Sequence, residues 1–269
     1  MKPFGKLYLC LGIALVFVGC DHRTEKQPAL GTGQPVQFDH QHALLGKVLH
    51  AVVRNGLVDY PALEPQLSNL RQYLDHAARV PRAQFDGWNP PERLAFLVNI
   101  YNAATLHLLA VEKPLESIKS IGGLRSPWKL KIVRLFGSKW SLDTLEHEWI
   151  RKQFQSPQIH FALVCGAKSC PPLRSEPFTA TRLEEQFADQ AKRFLKDSSK
   201  NRVDLVKNIV YLSRIFQWYA RDFGKSDAEL LRFIAPHFPT DIARQLREKT
   251  FTIRYLDYDW SLNRAVPLK

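Results

Sequence analysis

The chain has 269 residues, of which 45% are apolar and 24% charged, and its formal charge is +12. This balance excludes a disordered chain, a collagen, a disulfide-dense mini-protein and a polytopic membrane protein. The length allows one large domain or two small ones.

The N-terminus stands apart from the rest. Lys2 and Lys6 precede an apolar run from Leu7 to Gly19, which reads as a secretory signal over 1–19. The run is shorter than the about 20 residues that span a bilayer. Its end, Phe17-Val18-Gly19-Cys20, resembles a bacterial lipobox, so Cys20 is the expected lipidation site and the membrane an expected partner. The alternative is an ordinary signal cut nearby, with Cys20 a bystander. Asp21 resembles an inner-membrane retention signal, which places the chain in the cell envelope, on the periplasmic side. Residues 20–36, with Pro28, Gly31, Gly33 and Pro35, read as a flexible tether. Basic residues are scattered without a block of five, and no nucleic-acid motif occurs, so no nucleic-acid partner is expected.

The body, 37–269, begins with a helix carrying Leu44, Leu45, Val48, Leu49 and Val52, ended by Asn55-Gly56. Pro61 opens a helix bearing Leu63, Leu67, Leu70 and Leu74. Asn89-Pro90-Pro91 opens the most apolar helix, about Glu92 to Val111, expected at the centre of the core and stopped by Pro114. Lys129–Phe136 and Trp140–Leu142 read as a hairpin turned at Gly137. Leu142–Phe154 reads as a helix. His160–Cys165 reads as a buried strand broken by Gly166. A capping box of Thr181 and Glu184 opens a helix to Leu195. Val203–Val206 and Ile209–Leu212 form a second hairpin. A helix from Ser213 to Gly224, helices over 226–234 and 240–247, and a strand Thr250–Tyr255 complete the chain. The fold class is α+β: a single domain of helices packed around a small, mostly antiparallel sheet.

No G-x-S-x-G, Walker A or Rossmann fingerprint occurs, and no cofactor is expected. His147-Glu148 starts like a zinc-protease helix, but the fourth position onward is Arg151. Cys165 and Cys170 lack C-x-x-C spacing, so no metal is expected either. The segment Cys165-Gly166-Ala167-Lys168-Ser169-Cys170 is the best place for chemistry. A thiol at a strand end suits a nucleophile, with the amides after it as oxyanion donors and Lys168 lowering the thiol pKa. Two other readings stay open: a small core cysteine, or a Cys165–Cys170 disulfide. A nucleophile needs a base. His160 lies five positions from Cys165, on the opposite face of a regular strand. His107 shares a helix with Asn99 and Asn102, whose amides are fit to orient an imidazole. His147 has Asp143 four residues before it and Glu146 beside it. A satisfied core histidine and a surface ion pair are the plainer readings of His107 and His147.

Several strings resemble one family. Leu97-Val98-Asn99-Ile100-Tyr101-Asn102-Ala103 with His107, Ser141–His147, His160–Leu173 and Tyr258–Asn263 resemble motifs of the DUF547 family, in order, as in a bacterial lipoprotein-type member. Leu97 stands where the family often has Trp. The resemblance implies that Cys165 rather than Cys170 is the functional thiol, since plant relatives often have Ser at the latter. It also raises His107 above a generic core histidine. It implies a Cys–His active site of papain or transglutaminase type, with Cys165 as nucleophile, His107 or His147 as base and Asn102 or Glu146 orienting it. His160, Gly166, Lys168, Ser169 and Cys170 would surround the ligand: a peptide, cell-wall fragment or small thiol. The activity implied is thiol-dependent amide or thioester hydrolysis or transfer. The alternatives are a non-catalytic envelope lipoprotein binding the same ligands, and a purely structural envelope protein.

Overall fold

A computed structural model describes residues 37–114 and 116–265. The expected signal, Cys20, Asp21 and the tether lie outside the described residues. The expected α+β class is found: helices with small sheets of two and three strands.

Helix α1 (Ala43–Val52) runs into a short hairpin, β1 (Val53–Arg54) and β2 (Leu57–Val58). Asn55 and Gly56, both at positive φ, form its turn rather than simply ending the helix. The single helix expected over 63–74 is interrupted. α2 (Tyr60–Leu63) gives way to a 3₁₀ turn, Glu64–Gln66, before α3 (Leu67–Ala78), because Pro65 withholds an N–H from a continuous helix. A short α4 (Arg82–Asp86) follows.

Helix α5 (Pro90–Glu112) is the axis of the molecule. Asn89 accepts from Glu92 N while the Glu92 carboxylate accepts from Asn89 N, a complete capping box. Its length and hydropathy would suffice to cross a membrane, but the apolar stretch is buried in the fold, and its side chains are the centre of the largest apolar cluster.

Strands β3 (Val133–Leu135) and β4 (Ser138–Trp140) pair antiparallel in the expected hairpin. The next helix departs from expectation. Between α6 (Leu142–Thr144) and α7 (Lys152–Phe154), residues Leu145–Arg151 are π-helical, a wider winding frequent at functional sites. The buried strand expected at 160–165 is absent. Pro157–Phe161 is a 3₁₀ helix, and the chain beyond it is bonded to a side chain instead of a neighbouring strand. The expected capping box at Thr181 is also absent, for 180–182 forms a 3₁₀ turn before α8 (Leu183–Lys196).

Strands β5 (Arg202–Asp204), β6 (Ile209–Leu212) and β7 (Thr252–Tyr255) form one sheet, β5–β6 antiparallel and β6–β7 parallel. Between them lie α9 (Arg214–Trp218), α10 (Ala220–Phe223), α11 (Asp227–Ile234) and α12 (Thr240–Glu248); Tyr219 splits the expected helix 213–224. This sheet and these helices share a second apolar cluster around Phe161, Phe194, Phe216 and Phe223. After β7 the segment 258–265 crosses back over the domain. It bridges to Ala167, Ser117 and Val58, and we refer to it as the strap.

Candidate functional site

The site begins with an amide on α5. Asn102 Nδ2 donates to Ala162 O at 2.9 Å, and Val164 N donates to Asn102 Oδ1 at 2.9 Å. One buried side chain thus satisfies the two main-chain groups that a sheet partner would otherwise take. Asn99, one turn earlier, clasps the main chain of Phe178 in the same way. Asn102 therefore positions the chain entering Cys165; it does not orient an imidazole as expected.

At Gly166 the chain turns with φ +84°, and a Cβ there would lie 2.6 Å from Leu109 Cδ1, so only glycine fits. The turn returns Cys170 to Cys165, and the two sulfurs are joined in a disulfide, with Cα atoms 6.3 Å apart. Of the three readings of Cys165, the structure thus shows the disulfide. Cys165 is half-buried and Cys170 buried, and both line one cleft. Cys165 N donates to Cys170 Sγ at 3.1 Å. The Tyr258 hydroxyl donates to Cys170 Sγ at 3.2 Å and lies 3.5 Å from Cys165 Sγ. Burial pushes the Tyr258 phenol well up, so it remains a neutral donor.

The loop is held from outside by the strap. Lys168 N donates to Ser261 O, Ser169 N to Asp259 O, Asn263 N to Gly166 O and Asp259 N to Ser169 Oγ. The amides of Lys168 and Ser169, expected to face an oxyanion, are therefore occupied. The Lys168 ammonium points to solvent, 3.6 Å from Asp259, and does not act on the sulfurs. Gly166, Lys168 and Ser169 each bond to the strap.

Behind His160, which lines the cleft, lie two charged groups. His160 Nε2 lies 2.7 Å from Asp222 Oδ2, and the Arg151 guanidinium grips both oxygens of Asp222, at 2.7 and 2.8 Å. These bonds hold the Asp222 carboxyl below the usual carboxylate range. Burial lowers the His160 pKa, opposed by Asp222. A neutral His160 gives its one N–H to Asp222, leaving a lone pair on Nδ1. Its ring stacks on Tyr219, centroids 4.0 Å apart. The expected opposite-face placement of His160 and Cys165 does not arise, because no regular strand joins them; both line the cleft.

The π-helix supplies the other wall. Arg151 also reaches back to His147 Nδ1 at 2.8 Å, and His147 Nε2 lies 3.6 Å from Asp143. Nδ1 of His147 is therefore hydrogen-bonded to Arg151, while Nε2 has only the longer approach to Asp143. Glu146 accepts from the Tyr219 hydroxyl at 2.6 Å and from Tyr101, so it holds phenols rather than an imidazole. His107 does not reach the cleft. Five positions on from Asn102 carries it about 140° round the helix. It faces a groove with Arg71, whose Nε is 3.4 Å from His107 Nε2.

Trp128, Trp218, Tyr258 and Trp260 complete the cleft as an aromatic wall, with Trp218 and Trp260 stacked 5.7 Å apart. Asp222, Arg151, Tyr219 and Trp218 had no distinguishing spacing in the sequence; Tyr258 and Trp260 fell in the Tyr258–Asn263 string. Among the described residues, no group of three His, Cys, Asp or Glu is arranged to hold a metal, and no imidazole hydrogen-bonds to either sulfur.

Fold and site together define an α+β domain with a sulfur-bearing aromatic cleft. Residues 85–195 match the family described as "Protein of unknown function, DUF547". The matched segment holds α5, the π-helix and the cysteine loop; Asp222 and the strap lie beyond it. No curated protein and no solved structure gives a significant match to the chain.

Proposed function

We propose that the cleft is a thiol active site for acyl chemistry, cleaving or transferring an amide or thioester, in an envelope protein tethered through Cys20. The observation that carries the reading is that Cys165 shares its cleft with His160, an imidazole fixed by Asp222 and Arg151. Once the disulfide is reduced, the Cys165 thiol gives its proton to His160 Nδ1, directly or through one water. The thiolate attacks the acyl carbon. Cys165 N–H, released from Cys170 Sγ, is free to donate to the developing oxyanion. The imidazolium returns its proton to the departing amine or thiol, and water or a second nucleophile then releases the acyl group. Asp222 and Arg151 are positioning residues that set the tautomer. The aromatic wall offers apolar area for a peptide or cell-wall fragment. His160 thereby replaces His107 and His147 as the base.

The test is iodoacetamide labelling of reduced full-length chain across pH, with hydrolysis of a nitrophenyl ester and an aryl thioester measured alongside. Cys165 should label with an apparent pKa under the free-thiol value of about 8.5. His160→Asn should slow hydrolysis by about a hundredfold or more. The acid limb should fall below pH 6.5, the ordinary imidazole value, because burial lowers the His160 pKa. Labelling that accelerates only on denaturation would sink the reading. Normal labelling without turnover favours the non-catalytic alternative, in which the engaged sulfurs and the aromatic wall bind a peptide or small thiol.

A further inference from the structure

We infer that the Cys165–Cys170 disulfide is itself reactive: the cleft carries out thiol–disulfide exchange with low-molecular-weight thiols, and the thiol is always captured on Cys165. The inference shares the cleft with the proposed acyl chemistry but does not require it.

The two sulfurs have unequal surroundings. Both sulfurs line the cleft, but Cys165 is half-buried whereas Cys170 is only 3% exposed. The difference in exposure directs an incoming thiolate to Cys165. The hydrogen-bond donors at the pair favour Cys170 as the leaving sulfur: Cys165 N lies 3.1 Å from Cys170 Sγ, and the Tyr258 hydroxyl is nearer Cys170 Sγ, at 3.2 Å, than Cys165 Sγ, at 3.5 Å. Exchange proceeds faster when the leaving thiolate is stabilised, and these donors act on negative charge as it forms. No cation is needed, consistent with Lys168 pointing away. Tyr258 is held for this task. Its ring packs on Trp260 at 4.5 Å and Trp218 at 4.8 Å, and the strap that carries it is bonded to the loop at both Lys168 and Ser169.

The step balances without an added oxidant. A thiolate R–S⁻ attacks Cys165 Sγ, the R–S–Sγ bond forms, the Sγ–Sγ bond breaks, and the electron pair leaves on Cys170 Sγ. The disulfide is reduced as one equivalent of thiol is oxidised to the mixed disulfide. A second R–S⁻ attacking the sulfur of R releases R–S–S–R and leaves both cysteines reduced. The aromatic wall beside Cys165 selects thiols with a flat or apolar portion over small, highly charged ones.

The experiment uses the full chain, oxidised and folded, with glutathione and with thiophenol as probes. The reaction is quenched in acid and the peptides are mapped by mass spectrometry. The expected result is an adduct on Cys165 and none on Cys170, with thiophenol faster than its thiolate fraction alone would predict. Tyr258→Phe, which keeps the ring, should slow adduct formation by about tenfold while leaving the adduct on Cys165. An adduct on Cys170, equal adducts on both, or no adduct until urea is added would overturn the inference. Ester hydrolysis by pre-reduced chain is scored separately. Its loss with exchange intact would count against the acyl reading alone, and exchange failure with hydrolysis intact against this inference alone.

Discussion

His42 and His160 are both buried imidazoles, and each is accommodated differently. His42 Nδ1 meets the Tyr73 hydroxyl at 2.8 Å beneath Phe38, and burial pushes its pKa down to about 4 from 6.5. His160 has a carboxylate at 2.7 Å that opposes the same burial. A lowered imidazole pKa means the unfolded chain takes up the proton first as pH falls through 6.5. Stability is thus full above 6.5, is lost toward pH 4, and this contribution then levels off. Urea unfolding at pH 7 and 4.5 should show His42→Gln losing about 2 to 3 kcal/mol less than the parent chain. Equal losses in both would show that His42 is protonated at no cost. His42 gave no sign of burial in the sequence, and Asp222 gave none of its pairing. The partner of Asp222 lies 62 residues away, and only the assembled fold puts a carboxylate and a guanidinium behind His160.

Elements were legible where their cause is local. The Asn89-Pro90-Pro91 start and the apolar composition of α5 specify that helix within its own residues, and the capping box forms as the pattern implies. The hairpins at 133–140 and 202–212 follow from alternation and turn residues in the same way. The segment 160–165 was misread because its hydrogen-bond partner is a side chain on α5, which periodicity does not register. The π-helix was invisible for another reason: Leu145, Trp149 and Ile150 suit either winding, and the choice between them is tertiary. Gly166 tests how far the cysteine loop tolerates change. Gly166→Ala meets both the positive φ and the 2.6 Å approach to Leu109. It should cost about 2 to 3 kcal/mol in urea unfolding. Adding Leu109→Ala should recover only the steric part. A single variant as stable as the parent would show that the loop can turn otherwise.

For the molecule as a whole, location decides whether the sulfur pair persists. Disulfides endure in oxidising compartments and are rare in the cytosol. The proposed export and acylation at Cys20 therefore bear directly on the cleft. Labelling with a radioactive fatty acid should mark the parent chain and not Cys20→Ala, and the variant should move from the membrane to the soluble fraction. Equal labelling of Cys20→Ala and the parent chain would remove the acyl tether.

The strap also fixes an order of events. Tyr60 bonds Asn263 across 203 positions, and Val58 exchanges main-chain hydrogen bonds with Asn263 and Ala265. The aromatic wall is short of Tyr258 and Trp260 until that last stretch arrives. A chain emerging from the ribosome or a secretion channel therefore carries both cysteines, His160 and Asp222 before a finished cleft surrounds them. Contacts this distant in sequence form late and slowly. The cleft is consequently completed by the last stretch of the chain, and a nascent chain stalled before residue 258 has its cysteine pair without Tyr258 and Trp260 beside it.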